Sequence, residues 1–314
     1  MAVTLEQAKL NVQDDLQLGV IDEFRKSTWL FDNLIFDDVV SATGGGATLT
    51  YAYTRLKTQP TAGFRNVNEE YATSEVEKQR FTADLKIFGG GFKVDRVIAN
   101  MGGIADEVAL QMAQKIKAAG ALFNDTVING DSAVDSKSFD GLEKALKSSS
   151  TEYKPAAAID LSTSEAVTKN FQTFLDALDE FLMTLDGKPS FIGGNTKLIA
   201  KLRACARRAG MYQVTKDSFG NQVESYGGIP FVDFGSKPGT NDDVVKTETT
   251  GETSLYAARI GLDGFHGISM AGQPPVKTWL PDFETAGAVK EGEVEMIAAV
   301  ALKAAGVMRK IKVK

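Results

Sequence analysis

Three stretches of the chain repeat apolar residues every three or four positions, the spacing that places them on one face of an α-helix. The longest covers residues 104–128 and would be about 37 Å long at 1.5 Å per residue. A second helix is predicted to begin at a capping box of Ser162 and Glu165, and a third to occupy residues 195–210 with Asn195 as its cap. The central part of the chain is therefore rich in helices.

Apolar and polar residues alternate in two neighbouring stretches, which predicts β-strands. The first contains Tyr51 and Tyr53 on one face, and the second, residues 81–87, is predicted to be its antiparallel return. The intervening residues 57–80 are rich in charge and poor in apolar side chains. Connections longer than about 15 residues are rare in compact domains unless they have a function or are disordered. We therefore expect a protruding hairpin. Alternation in residues 307–314, at the end of a tail rich in Val, Ile and Ala, predicts a further strand at a sheet edge.

This mixture of helices and strands predicts an α+β fold. The 314 residues suggest about two domains or one discontinuous domain. Apolar residues make up 43% of the chain and charged residues 24%, which argues against disordered, collagen-like and coiled-coil proteins.

Charge and hydropathy exclude further classes of protein. The longest stretch without Asp, Glu, Lys or Arg is residues 39–54, which is too short to cross a bilayer, so no membrane partner is predicted. The first residues lack the basic and apolar regions of a signal peptide. The net charge of −6 argues against sequence-specific DNA binding, which normally relies on an excess of basic residues.

The sequence offers little for catalysis or for a cofactor. One cysteine, Cys205, and one histidine, His266, cannot form a tetrahedral zinc site or hold an iron–sulfur cluster. The glycine clusters do not match a phosphate-binding loop, and the loop that begins at Asp131 lacks the glycine and glutamate that a calcium-binding loop requires. We predict no catalytic residue, no metal and no cofactor, although a cytosolic enzyme that uses Cys205 stays an alternative.

Two segments, an acidic arm rich in aromatic residues and a long charged hairpin, could not be buried within a single domain. Residues 1–38 contain eight acidic and three basic residues, and residues 55–93 contain seven basic and five acidic residues. Segments of opposite charge favour contacts between neighbouring copies of a chain. We therefore predict a self-assembling structural protein, with subunit contacts made by seven residues: Trp29, Phe31, Arg55, Lys57, Arg65, Glu69 and Glu70.

Short motifs carry a resemblance to a known family. One run reads Ile128-Asn-Gly-Asp131 and is followed by Phe139-Asp-Gly-Leu142, and the predicted hairpin contains Phe64-Arg-Asn-Val-Asn-Glu69. In their order along the chain, these runs resemble the major capsid proteins of tailed bacteriophages, whose fold is named after phage Hong Kong 97. The resemblance extends over essentially the whole chain and is weakest between residues 147 and 250.

The resemblance implies a Hong Kong 97-like fold with four regions. These are an N-terminal arm (1–46), an extended β-hairpin loop (47–93), a peripheral domain with a long spine helix (94–154 and 270–314) and an axial domain (155–269). The implied function is to form the icosahedral capsid of a virion from hexamers and pentamers, assembled in the bacterial host cytoplasm around double-stranded DNA that is contacted non-specifically. Further implied partners are a portal protein and a decoration protein.

Two departures from the family change these expectations. The arm begins almost at Met1, so we expect a separate scaffolding protein rather than a fused one. Crosslinked members join a lysine of the loop to an asparagine near the C-terminus, but no asparagine follows Asn241, so we expect non-covalent contacts only. An encapsulin, a nanocompartment shell protein with the same fold and an enzyme cargo, stays an alternative.

Overall fold

The computed structural model of the chain describes residues 29–41, 48–56, 58, 60–100, 107–216 and 222–314. Within these ranges the chain forms six helices and fifteen strands, which confirms the α+β prediction. The helices are α1 (Trp29–Asn33), α2 (Arg96–Asn100), α3 (Glu107–Asn129), α4 (Leu142–Leu146), α5 (Ser164–Met183) and α6 (Thr196–Arg208). The strands are β1 (Phe36–Val40), β2 (Thr50–Leu56), β3 (Lys78–Asp84), β4 (Lys86–Asp95), β5 (Glu152–Tyr153), β6 (Ile159–Asp160), β7 (Phe191–Gly194), β8 (Gln213–Lys216), β9 (Gln222–Tyr226), β10 (Ile229–Asp233), β11 (Glu252–Ala258), β12 (His266–Met270), β13 (Val276–Trp279), β14 (Val289–Ala301) and β15 (Ala305–Lys312).

A five-stranded sheet is organised around β14. It has the order β1-β12-β14-β13, and β4 also pairs with β14. Alternate residues of β4, among them Phe92 and Val94, are buried against Met112 and Ala119 of α3. The apolar side of α3 faces the sheet and its polar side faces outward. The helix α3 therefore corresponds to the predicted long helix. Its predicted start at Ile104 lies outside the described residues.

An eight-stranded sheet carries the two other long helices. Its order is β5-β15-β11-β7-β10-β9-β8, with β6 also paired to β15. Phe174 and Phe181 of α5 and Leu198 and Leu202 of α6 are fully buried in the same core. The prediction of an edge strand at the C-terminus was wrong, because β15 lies between β11 and the short strands β5 and β6.

The starts of α5 and α6 were predicted to within two residues. Asn195 caps α6 as expected, since its side-chain oxygen accepts a hydrogen bond of 2.9 Å from the Leu198 amide. For α5 the predicted capping residue Ser162 is wrong. Thr163 is the cap, and its hydroxyl accepts from the Ala166 amide at 3.1 Å. The Ser162 amide instead bonds Asp160, which keeps Ser162 outside the helix.

The predicted return strand over residues 81–87 is in fact two strands. The first, β3, ends at Asp84, and β4 begins at Lys86 in a different sheet. Leu85 between them is 4% exposed and donates its amide to the Leu49 carbonyl at 2.8 Å. Burial of Leu85 thus fixes the point where the chain leaves the hairpin and enters the five-stranded sheet.

The loop after α3 explains the motif on which the family resemblance rests. The Gly141 amide donates to the Gly130 carbonyl at 2.8 Å, which brings two backbone segments together. A Cβ at Gly130 would lie 2.2 Å from the Phe139 carbonyl oxygen, and one at Gly141 would lie 2.6 Å from that of Thr126. Only glycine fits such a close backbone approach.

A lysine occupies the centre of the acidic loop that the sequence analysis rejected as a calcium site. The Lys144 ammonium lies 2.7 Å from Asp131 and 2.8 Å from Asp140. Its hydrogen bond lowers the pKa of Asp131. A cation of the chain itself therefore lies between these two carboxylates.

An ion cluster joins β15 to α4 and β5. Arg309 contacts Glu143 at 2.8 Å and also pairs with Glu152, whose side chain is only 5% exposed. Burial raises the pKa of Glu152, but hydrogen bonds from Lys154, the Ser148 amide and Arg309 outweigh it and lower the pKa to about 2. This cluster fixes the last long strand to residues more than 150 positions earlier in the chain.

The sheets do not follow the four predicted regions strictly. The strand β12 begins within the range expected for the axial domain, yet it pairs with β14 in the five-stranded sheet. The strand β15 falls in the range expected for the peripheral domain but belongs to the eight-stranded sheet. The division into arm, loop, peripheral and axial regions stays a prediction.

Candidate assembly surface

The hairpin formed by β2 and β3 is the least covered part of the described chain. The two strands pair antiparallel from Thr50 opposite Asp84 to Leu56 opposite Lys78. They form a two-stranded sheet of their own, separate from both larger sheets. A two-stranded hairpin is marginally stable in water, so its position depends on how its base is attached to the body.

Aromatic and cationic side chains attach this base, which we call the hairpin root. Tyr53 and Phe81 stack with ring centroids 5.7 Å apart, and the Arg55 guanidinium lies 5.2 Å from the centre of the Phe81 ring. Arg55 also donates to the Leu302 carbonyl in the turn between β14 and β15. From the same turn, the Lys303 ammonium lies 4.7 Å from the centre of the Tyr53 ring. Cation–π contacts therefore join the hairpin root to the body.

The titration of these groups reflects their partial burial. Burial, and then the nearby positive charge of Arg55, lower the pKa of Lys303. Burial also raises the pKa of the Tyr53 phenol. Both side chains are thus partly shielded from water at the hairpin root.

The far end of the hairpin, which we call the tip, consists of residue 58 and residues 60–77. It has no regular secondary structure and is exposed along its whole length. The exposed fraction is 109% for Phe64, 87% for Val67 and 62% for Tyr71. Exposed large apolar side chains in a segment without a core of its own make the tip a candidate contact surface.

The tip is nevertheless held by hydrogen bonds within itself. The Asn66 amide donates to the Glu69 carboxylate at 3.1 Å, and the Glu69 amide donates to the Asn66 carbonyl at 3.3 Å. Asn68 between them has a positive φ of 69°, a conformation that asparagine tolerates better than most residues. The Arg65 guanidinium lies 5.2 Å from the centre of the Tyr71 ring. These contacts order the turn before any partner binds.

The structure gives four of the predicted interface residues different surroundings. Arg55 lies at the hairpin root and contacts the chain's own body. Arg65 and Glu69 hold the turn at the tip, whereas Glu70 beside them is exposed. Lys57 lies outside the described residues. Their role in subunit contacts stays a prediction.

The aromatic residues Trp29 and Phe31 pack on the core. Trp29 meets Phe191 edge to face at 5.2 Å, and Phe31 meets Phe123 in the same way at 5.6 Å. Both rings are partly buried, which satisfies within one chain much of the burial that the sequence analysis expected from a neighbour. Their predicted interface role applies only to the part of each ring that remains exposed.

The sequence analysis missed the apolar residues of the tip. Phe64, Val67 and Tyr71 occur singly in a charged segment, so no periodic pattern marks them. The available signal was the presence of large apolar residues in a segment without a predicted helix or strand. Lys303 was missed too, because its contact with Tyr53 joins residues 250 positions apart.

A cleft of about 620 Å³ lies between the hairpin root and the loop around α4. Its walls combine hydroxyl groups, such as those of Ser132, Ser138 and Thr151, with the charged side chains of Lys86 and Asp140. The mixture lacks a convergent set of catalytic groups.

The residues considered for thiol catalysis are separated. Cys205 is fully buried in the core beside α5, and burial raises its thiol pKa to about 11, so the nucleophilic thiolate is scarce at neutral pH. His266 lies instead beside Tyr51 near the hairpin root. Among the described residues, no three His, Cys, Asp or Glu side chains are grouped to hold a metal ion, and no helix there is long and apolar enough to span a bilayer.

Comparison with known proteins identifies the fold. No protein-family model and no curated protein matches the sequence. Among solved structures, the SrpI encapsulin from Synechococcus elongatus PCC 7942 is 16% identical, with a TM-score of 0.62 over 99% of this chain and 97% of that one. The capsid of a native GTA particle is 14% identical, with a TM-score of 0.61 over 99% of both chains. A structure from Mycobacterium phage Bobi is 13% identical, with a TM-score of 0.60 over 98% of both.

The fold is that of capsid and encapsulin shell proteins. The Hong Kong 97-like fold predicted from the sequence is therefore confirmed. The match covers nearly the full length of both chains in each comparison. The hairpin, both large sheets and the long helix α3 are therefore parts of one shell-protein architecture.

Proposed function

We propose that this chain is a major capsid protein that assembles into the icosahedral shell around the double-stranded DNA of a tailed phage. The observation that carries the proposal is that the structural match covers 99% of this chain and 99% of the capsid chain it is compared with. This holds for the native GTA particle and for the Myoviridae phage XM1. The glycine-dependent loop at Gly130 and Gly141 supports the same conclusion, because it forms the motif that resembles phage capsid proteins.

Subunits are held together by non-covalent contacts in this proposal. The tip presents Phe64, Val67 and Tyr71 to solvent, and their burial against a neighbouring subunit stabilises the shell by the hydrophobic effect. Glu70 and the basic residues of the hairpin add ion pairs of about 0 to 1 kcal/mol each. Repetition of these weak contacts over every subunit gives a stable particle.

The further partners follow from this function. The chain forms hexamers and pentamers, assembles in the host cytoplasm with a separate scaffolding protein, and meets a portal protein at one vertex and a decoration protein on the surface. Packaged DNA is contacted without sequence specificity, and because the net charge is −6, such contacts fall to local groups of basic residues rather than to the charge of the whole chain.

Electron microscopy tests the proposal directly. Cells that express this chain, alone or with its candidate scaffolding protein, are lysed, and the fast-sedimenting fraction is examined by negative stain. Closed shells tens of nanometres across support a shell protein, and the absence of shells under both conditions contradicts it.

The contents of the shells then separate the two kinds of shell protein. The likeness to the SrpI encapsulin makes a nanocompartment the second candidate. Packaged nucleic acid in particles from an infected host supports a capsid, whereas a co-purifying enzyme supports an encapsulin. Cys205→Ala, which keeps this buried position apolar, leaves particle formation intact under either outcome, while it abolishes activity if the chain is instead a thiol enzyme.

A further inference from the structure

The only histidine of the chain lies buried beside the hairpin root. His266 is on β12, 0% exposed, and its ring meets the Tyr51 ring edge to face at 5.8 Å. Its Nδ1 lies 3.0 Å from the Gly264 carbonyl oxygen, an acceptor, so Nδ1 carries the hydrogen of the neutral ring. The other nitrogen, Nε2, is buried with no hydrogen-bond partner among the described residues. Nε2 therefore has no hydrogen-bonded acceptor for a second proton, whereas backbone contacts with Gly264 and Gly261 favour the charged ring.

Ionisable groups reach the imidazole from three packed elements. Asp37 comes from β1, Tyr51 from β2 and Lys303 from the turn after β14, whereas the β14 residue paired with His266 is Ala301. Burial is the main cause that lowers the pKa of His266, and the positive charge of Lys303 lowers it further. The backbone hydrogen bonds to Gly264 and Gly261 and the charge of Asp37 oppose the change without reversing it. Lys303 in turn is the cation that covers Tyr51 and Tyr53 of the hairpin.

We propose that His266 is a pH-sensitive latch, and that protonation of its buried ring releases the hairpin root from the body. The neutral imidazole ring packs against the Tyr51 ring as an uncharged surface. The charged ring requires water at Nε2 and repels Lys303, so the Tyr51 and Lys303 contacts open together. This inference goes beyond the proposed function and holds whether or not the chain forms shells.

The sign and size of the effect follow from linkage. Because the pKa of His266 is lowered in the closed root, the closed root is favoured at pH values above the ordinary histidine pKa of about 6.5. Its stability relative to the open root decreases as the pH falls below this value. If the open root restores the ordinary pKa, its population relative to the closed root rises by up to about 30-fold between pH 7.5 and pH 5.0. Most exposed carboxylates, with pKa values of about 4, stay charged in this interval.

Hydrogen–deuterium exchange of the full-length chain, kept unassembled by dilution, measures the opening. Peptides from residues 48–84 are compared at pH 7.5 and pH 5.0 after correction for the intrinsic exchange rate. We expect faster exchange in this segment at pH 5.0, by up to about 30-fold, with a midpoint below pH 6.5. Peptides from Ser164–Met183 in the distant helix α5 serve as the internal reference and should not change.

Three variants separate a latch from a merely structural histidine. His266→Asn keeps a donor for the Gly264 carbonyl but cannot become charged, so the acid-induced exchange should disappear. Lys303→Met removes the repulsion and should move the midpoint to higher pH, whereas Asp37→Asn should move it to lower pH.

An unchanged transition in His266→Asn would overturn the proposal. If that variant fails to fold, the other two still decide it, because a midpoint that moves in neither variant, or moves in the opposite direction, contradicts the latch. None of these outcomes depends on whether particles form, so they are distinct from a failure of the capsid proposal.

Discussion

The exposed phenylalanine at the hairpin tip allows a quantitative test of assembly. Phe64 is 109% exposed in the isolated chain, so Phe64→Ser should change the free energy of unfolding by no more than about 0.5 kcal/mol. If a neighbouring subunit covers the ring, the same change removes about 1.5 to 3 kcal/mol of burial from each subunit contact. Since each 1.4 kcal/mol is a factor of ten, the chain concentration needed for assembly should rise by about 10-fold to 100-fold.

The assay is the threshold concentration for shell formation. Purified chain, with scaffolding protein where assembly requires it, is pelleted over a range of concentrations, and thermal unfolding is measured in parallel below the threshold. Phe64→Leu is the matched control, because leucine keeps most of the apolar area and should keep most of the assembly. Val134→Ser is a control for position, since Val134 is 86% exposed but lies in the loop after α3.

Two results would refute this reasoning. An unchanged threshold for Phe64→Ser would mean that the tip remains in solvent in the particle. An equal loss for Val134→Ser would mean that assembly responds to exposed apolar area in general rather than to the hairpin.

The other predictions concern charge, acid stability and crosslinking. Glu70→Lys should lower particle yield and salt tolerance without a change in thermal stability, whereas Glu69→Lys should also disturb the turn because its carboxylate accepts from the Asn66 amide; unchanged yield in both would exclude them from the interface. Arg309→Met should destabilise the chain by about 1.5 to 3 kcal/mol, because Glu152 loses its charge-assisted bond to β15 but keeps its bonds to Lys154 and the Ser148 amide. The contribution of Glu152 is complete above its ordinary pKa of 4.5 and is lost as pH falls towards about 2, so acid titrations of unfolding should differ between wild type and this variant in that range. Particles should give a single band at 33.7 kDa on a denaturing gel, and a ladder of multimers would show that a covalent link exists.

The sequence by itself determined the elements whose signals are local. The helices α3, α5 and α6 were predicted from periodicity and caps, because apolar spacing and side-chain bonds to the first backbone amides involve residues only a few positions apart. The protruding hairpin was also predicted, since two alternating stretches on either side of a charged segment have few other ways to pair.

Tertiary structure decided everything that depends on distant partners. The break at Leu85 and the internal position of β15 follow from burial against segments that no local pattern specifies. The hairpin root depends on Lys303 reaching Tyr53, and the latch depends on Tyr51 reaching His266, over separations of more than 200 residues. Only the folded chain brings these groups within van der Waals distance, and the energy of cation–π and aromatic contacts is confined to such short distances.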